Sequence, residues 1–216
     1  MQYTKASFFD LDKTLLKVNC SFRFGHFLYQ KKAIPFSSLM RLFSSYILHK
    51  WGWRTPEQLN DSACQRFFSK ENIKHVQTLV TQFLDHQFEE MLYYPAIDSL
   101  VRAHREGVYT VIISSSPDFL VEGIAQRLGV NEWLATEYAV DSCGQITHIK
   151  THMDGERKAQ MLIALCHRLN ISIPQTVAYS DSFLDLPFLL AAGEAKGVNP
   201  DKRLKKYCLE NNWEIL

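Results

Sequence analysis

The sequence predicts an α/β protein, a mostly parallel sheet covered by helices on both faces and interrupted early by an all-helical insertion. Two observations carry this. Over the last ~120 residues short apolar runs alternate with helical patterns, which is the pattern of parallel strands joined by helices. Ahead of them, from Lys17 to about Met91, apolar residues recur only at helical spacing, directly after one short β-run.

The elements follow in order. Ala6 to Phe9 is a short β-run that ends in Asp10-Leu11-Asp12-Lys13-Thr14. In the insertion, Phe36, Leu39, Met40, Phe43 and Ile47 share one helix face, as do Ile73, Val76, Val80 and Phe83. Thr55-Pro56 reads as an N-cap followed by proline at the first helical position. After Tyr94-Pro95 a helix at about 96–106 precedes the buried strand Val108 to Ser114. Pro117 opens the next helix and Gly129 closes it, and Glu137 to Ile149 reads as a hairpin turning at Cys143-Gly144. A helix over 156–169, the strand Thr176 to Tyr179, the strand Ala195 to Val198 and a helix from about Asp201 complete the alternation. The expected domains are 1–16 with 92–216, and an insertion at 17–91.

Composition excludes several classes. The 216 residues are 46% hydrophobic, enough for a sizeable core, and 24 basic against 23 acidic side chains leave a net +1. That is no strongly basic nucleic-acid module, and no nucleic-acid partner is expected. Five widely spaced cysteines without a CxxC pair form neither a disulfide framework nor a zinc ribbon, which fits a reducing cytoplasm. The N-terminus is no signal peptide, and the most membrane-like stretch, Leu39 to Trp53, is too short and polar to span a bilayer.

Four polar clusters fall at strand ends or helix starts: Asp10/Asp12/Thr14, Ser114/Ser115/Ser116, Lys158, and Asp181/Ser182/Asp185. Those are the positions where an open α/β sheet binds its ligand. Asp10 and Asp12, two residues apart past one strand, can serve one pocket. Paired carboxylates near a further aspartate repel unless a cation neutralises them, and an all-oxygen set suits Mg²⁺. A serine hydroxyl, backbone N–H groups at a helix start and a lysine are what holds phosphate oxygens. Together they read as phosphoryl transfer through an aspartyl-phosphate.

With FFDLDKTLL, VIISSSPDFLVEGIAQRLG, GERKAQML and AYSDSFLDLPFLLAAG in this order, the chain resembles the haloacid dehalogenase superfamily of phosphatases. It is most similar to the subfamily, called IB, that carries a helical cap after the first motif and includes phosphoserine phosphatases and lipid head-group phosphatases. The resemblance implies a Rossmann-like core and the following roles. Asp10 is the nucleophile and Asp12 the acid and base, while Thr14 braces the loop. Ser114 and the backbone N–H of Ser115 hold phosphate, and Lys158 neutralises charge. Asp181, the Asp10 carboxylate and the Asp12 backbone carbonyl ligate Mg²⁺, supported by Asp185. Two positions depart from the pattern: Ser180 stands where glycine is common, and Asn19 where phosphoserine phosphatases carry a glutamate. Asn19 and Arg23 are therefore candidates for substrate specificity.

The insertion has a composition of its own. Residues 17–54 hold seven basic and no acidic side chains together with nine aromatics, which leaves 17 basic against 23 acidic elsewhere. One reading is an aromatic cap core with a solvated basic face; the other is a surface for anionic lipid head groups, peripheral to a membrane. The expected activity is hydrolysis of a small phosphorylated metabolite, with a phospholipid head-group phosphate or phosphotransfer to an alcohol as alternatives. Ser182 and Asn199 are marginal site candidates, whereas His148, His152, Trp133 and Trp213 are expected at the surface or in packing.

Overall fold

The computed structural model describes residues 3–35 and 64–216, together with positions 37, 40, 58, 61 and 62. Phe36, Leu39, Phe43 and Ile47, the Thr55-Pro56 helix start and the cations Arg41, Lys50 and Arg54 lie outside the described residues. Element labels below number the described helices and strands only.

The central strand β1 (Ala6–Phe9) is buried along its whole length. It pairs in parallel with β2 (Tyr109–Pro117) on one side and β5 (Thr176–Ser180) on the other. The seven-stranded order is β4-β3-β2-β1-β5-β6-β7, adding β3 (Glu132–Val140), β4 (Ile146–Thr151), β6 (Glu194–Gly197) and β7 (Glu214–Ile215). Every pairing is parallel except β3 with β4. Alternate residues of a strand face opposite sides, and this splits the core in two. Ala6, Phe8, Val111 and Ile113 pack on one face; Phe9 and Ile112 pack on the other.

The first face is covered by α5 (Gly155–Leu169), the short α6 (Leu186–Leu190) and α7 (Lys202–Glu210), through Leu162, Leu165, Phe188, Leu189 and Leu204. The second face takes α3 (Tyr94–Arg105) and α4 (Asp118–Leu128), and the insertion packs there too through α1 (Cys20–Gln30) and α2 (Ile73–Met91). Leu84 and Val80 of α2 sit so close to Gly123 of α4 that a Cβ there would crowd both. The chain leaves and re-enters the core through a narrow neck. Lys17 N–H donates to the Met91 carbonyl at 2.8 Å and Tyr93 N–H donates to the Leu15 carbonyl at 2.9 Å.

Most boundaries match the sequence reading, and two differ for a physical reason. Strand β2 runs on to Pro117 with a register shift after Ile113, so the serine run lies on the strand end and not in a cap. Strand β3 starts at Glu132: its first half pairs with β2, and only its second half forms the expected hairpin, closed around Gly144 at φ 79°. The helices are punctuated as their sequences imply. Asp154 and Asp201 accept N-terminal amides, while Gly129 and Asn170 take the left-handed conformation that stops a helix. Trp133 and Trp213 both pack against the core. No helix among the described residues is long and apolar enough to cross a membrane.

Candidate active site

Asp10 is the first residue past β1, and its N–H donates to the Tyr179 carbonyl at 2.9 Å, continuing the strand pairing by one step. Its side chain is buried. Lys158 Nζ lies 2.6 Å from Oδ1, and Thr14 Oγ1 donates to Oδ2 at 3.1 Å. Burial raises the Asp10 carboxyl to about 6; Lys158 opposes this, and Asp185 adds to it.

Lys158 stands in the first turn of α5, which meets the 183–185 turn so closely that a Cβ on Gly155 would collide with the Leu184 carbonyl oxygen. That contact brings the ammonium to Asp185 as well, at 2.8 Å. Desolvation alone would lower the pKa of this fully buried lysine, but the two carboxylates outweigh it and the net shift is upward. Asp185 also accepts from Ser180 Oγ at 2.7 Å, so the serine in place of glycine gives that carboxylate a second donor.

Asp181 follows β5. Burial first, and then the charge of Asp10, push its carboxyl to about 8. Two buried carboxyls that stay raised although Lys158 opposes both, and Lys13 opposes the second, are short of positive charge. Among the described residues no three acidic, histidine or cysteine side chains converge to enclose an ion by themselves. Mg²⁺ does not require such a cage, since it commonly takes one or two carboxylates and completes its shell with water and substrate phosphate. The oxygen-only donors here fit it.

Asp12 is held differently. Its Oδ1 accepts the Cys20 N–H at 2.6 Å; its Oδ2 accepts Ser116 Oγ at 2.6 Å and Asn19 Nδ2 at 3.3 Å. The first turn of α1 therefore grips this carboxylate, and Ser21 Oγ lies 2.9 Å from Ser116 Oγ to extend the chain of hydroxyls. Ser116 was missed as a single site residue, although alternation along a strand places it with Ser114 and turns Ser115 away. Ser114 is buried, and its hydroxyl accepts the Ser116 N–H at 3.1 Å. The Ser115 hydroxyl donates to the Met153 carbonyl at 2.5 Å, and its backbone carbonyl accepts from Thr136 Oγ1 at 2.9 Å.

Three further expectations change. Asn19 caps α1 by accepting the Phe22 N–H at 2.8 Å while its amide nitrogen serves Asp12, so both ends of the side chain are engaged. Arg23 leans to Glu90 of α2 at 3.5 Å and is not among the residues lining the cavity. His152, expected at the surface, lies in the cavity wall with Nε2 3.3 Å from Asp61. Ser182 lines the cavity and caps the turn that carries Asp185, His148 is exposed, and Asn199 is a left-handed loop residue outside the cavity.

All the carboxylates and Lys158 open onto one cavity of about 670 Å³, whose opposite wall includes Phe24, Leu28, Phe68, Leu120 and Tyr138.

Comparison with known proteins places the chain among relatives of similar sequence and fold. The chain is 28% identical to the inhibition of morphological differentiation protein of Streptomyces azureus, covering 98% of this chain and 77% of that protein. It is 27% identical to phosphoserine phosphatase SerB1 of Mycobacterium tuberculosis, over 98% and 70% of the two chains. Among solved structures, a protein of unknown function from Bordetella pertussis superposes with a TM-score of 0.89 at 20% identity, covering 99% and 98%. A substrate-bound phosphoserine phosphatase superposes with a TM-score of 0.70 at 17% identity, covering 95% and 91%. The model of the haloacid dehalogenase-like hydrolases matches residues 7–190, and the chain belongs to that family.

Proposed function

We propose that this hydrolase is a Mg²⁺-dependent phosphomonoesterase that works through an aspartyl-phosphate on Asp10. The observation that carries the reading is the buried Asp10–Lys158–Asp185 array. It holds a carboxylate in place at the end of the central strand, with a fixed cation beside it. A scaffold gains nothing from such an arrangement, because burying charge is costly.

In this reading a carboxylate oxygen of Asp10 attacks phosphorus and the bond to the leaving alcohol breaks. Asp12 gives that alcohol its proton. Asp12 then takes a proton from water, the water oxygen attacks phosphorus, and the bond to Asp10 breaks to release phosphate. Ser114 and the Ser115 N–H hold the phosphoryl oxygens, and Lys158 offsets the charge that builds on them. Mg²⁺ would be held by the carboxylates of Asp10 and Asp181 and the Asp12 backbone carbonyl, with Asp185 behind them. When bound it neutralises the negative charge between carboxylate and phosphate. Residues 17–91 act as the cap, hinged at the two backbone hydrogen bonds of the neck.

A relative is named for phosphoserine. In this chain the position that would meet a substrate amino group is Asn19, whose polar atoms are committed to Phe22 and Asp12. That supports a different small phosphomonoester. The test is turnover of an aryl phosphate with and without Mg²⁺ by the wild type and by Asp10→Asn. The expected result is Mg²⁺-dependent release of phosphate that the variant lacks; wild-type turnover by Asp10→Asn would sink the mechanism.

A further inference from the structure

The cavity that receives the phosphoryl group is much larger than that group. At about 670 Å³ it is in the range of roughly 300–1,000 Å³ that holds drug-sized ligands. Its wall across from Asp10 is built of hydrocarbon. Phe24 and Phe68 stand with ring centroids 6.4 Å apart and nearly parallel. Phe68 is fixed from behind by Phe119 and Tyr138, at 5.0 and 6.1 Å, and Phe24 by Phe83 at 5.4 Å. Leu28 and Leu120 complete this surface. Its polar groups are the hydroxyls of Tyr138 and Ser21.

Charge around the cavity points the same way. Among the described lining residues, Lys158 is committed to Asp10 and Asp185, and the charge of Lys13 is felt by Asp181. His152 pairs with Asp61. The remaining charged side chains on the rim are Asp154 and Glu156. Among these described residues a substrate carboxylate would meet the repulsion of Asp154 and Glu156, and the hydrocarbon of the Phe24–Phe68 wall offers it no partner.

Resting on the phosphatase reading, we infer that the leaving alcohol carries an uncharged hydrocarbon or aromatic portion that lies against the Phe24–Phe68 wall, and that zwitterionic alcohols such as serine are poor leaving groups here. The same chemistry could come from a water-soluble aryl or alkyl ester or from a lipid phosphate. In either case the apolar portion leaves water as the phosphoryl group docks, and its burial helps hold the reacting atoms in place.

The test compares kcat/KM with Mg²⁺ for O-phosphoserine, phenyl phosphate, butyl, pentyl and hexyl phosphate, and dihexanoyl phosphatidate kept monomeric. The expected result is a rise of about fourfold for each added methylene, the ~0.8 kcal/mol of one buried CH₂. Phenyl phosphate should exceed O-phosphoserine at least tenfold. A preference for the soluble esters assigns a soluble alcohol, a preference for the phosphatidate assigns a lipid, and each supports the inference. Phe68→Leu, and Phe22→Ala at a further aromatic that lines the cavity, both checked for folding by circular dichroism, should lower the ratio of hexyl phosphate to O-phosphoserine several-fold. A flat alkyl series, or O-phosphoserine turned over as well as hexyl phosphate, overturns the inference and leaves the phosphatase intact. Failure of the wild type to hydrolyse any of these esters overturns the phosphatase reading itself.

Discussion

Replacing Lys158 by methionine removes the cation that bridges Asp10 and Asp185, which sit 2.6 and 2.8 Å from its ammonium and are both buried. Methionine fills similar space, so the change is mainly one of charge. Breaking a buried pair by deleting one partner costs about 3–5 kcal/mol, because the other charge is left uncompensated. In a chain of this size each kcal/mol moves the melting temperature by about 2–4 °C, so the variant should melt roughly 6–20 °C below the wild type. That figure applies at pH 8 with a chelator present. At pH 5 the deficit should shrink. Burial already raises the Asp10 carboxyl to about 6 with the lysine in place, and without it the carboxyl takes up a proton still more readily. Adding Asp185→Asn should restore part of the loss, since removing both partners leaves less charge stranded. Differential scanning fluorimetry of the single and double variants at both pH values reads all of this. A deficit under 2 °C at pH 8, or an equal deficit at pH 5 and pH 8, would refute the account of Lys158 as the neutraliser of this site.

Other perturbations separate the remaining roles. Asp10 and Asp181 have folded-state values of about 6 and about 8, both above the ordinary carboxyl value. The metal-free folded state thus holds more protons than the unfolded chain, and its stability falls as pH rises from about 4 to about 8. Melting should follow that slope, and Mg²⁺ should raise the melting temperature more at pH 8 than at pH 5; a rising metal-free curve would contradict the assignment. Ser116→Ala removes a hydrogen bond to a charged group, about 1.5–3 kcal/mol, so kcat on phenyl phosphate should drop roughly 10- to 100-fold with KM nearly unchanged. A KM effect alone would place Ser116 in substrate binding instead. Asn19→Ala should cost about 1 kcal/mol of stability through the lost helix cap without reordering substrate preference, which a thermal melt and a substrate panel would check together.

Much of this architecture could be read from residue order. Ala6–Phe9 is a short β-run between polar flanks, and it became the central strand with the same bounds. The four polar clusters each came at a strand end or a helix start, and the fold gathers Asp10, Asp12, Lys158, Asp181 and Asp185 around one cavity. What pairing pattern could not supply was the choice of partner within a cluster. Ser116 reaches Asp12 across 104 positions of sequence, and only the register of β2 beside β1 decides which serine faces it. Arg23 shares a helix face with Asn19, four residues earlier, yet Glu90 on α2 draws its guanidinium aside. His152 looked like a surface residue because nothing local marks a cavity that is closed partly by the insertion.

The paired hydrogen bonds between Leu15 and Tyr93 and between Lys17 and Met91 also bear on how this chain tolerates change. They close a long excursion of the polymer at a single point, and the entropy of closing such a loop grows only logarithmically with its length. Doubling or halving the excursion would alter the closure term by roughly 0.6 kcal/mol. The closure term is therefore almost indifferent to how many residues lie beyond the neck, provided α1 and α2 keep their packing on the second face. Stretches of residues 17–91 outside those two helices could lengthen or shorten with little cost in loop closure.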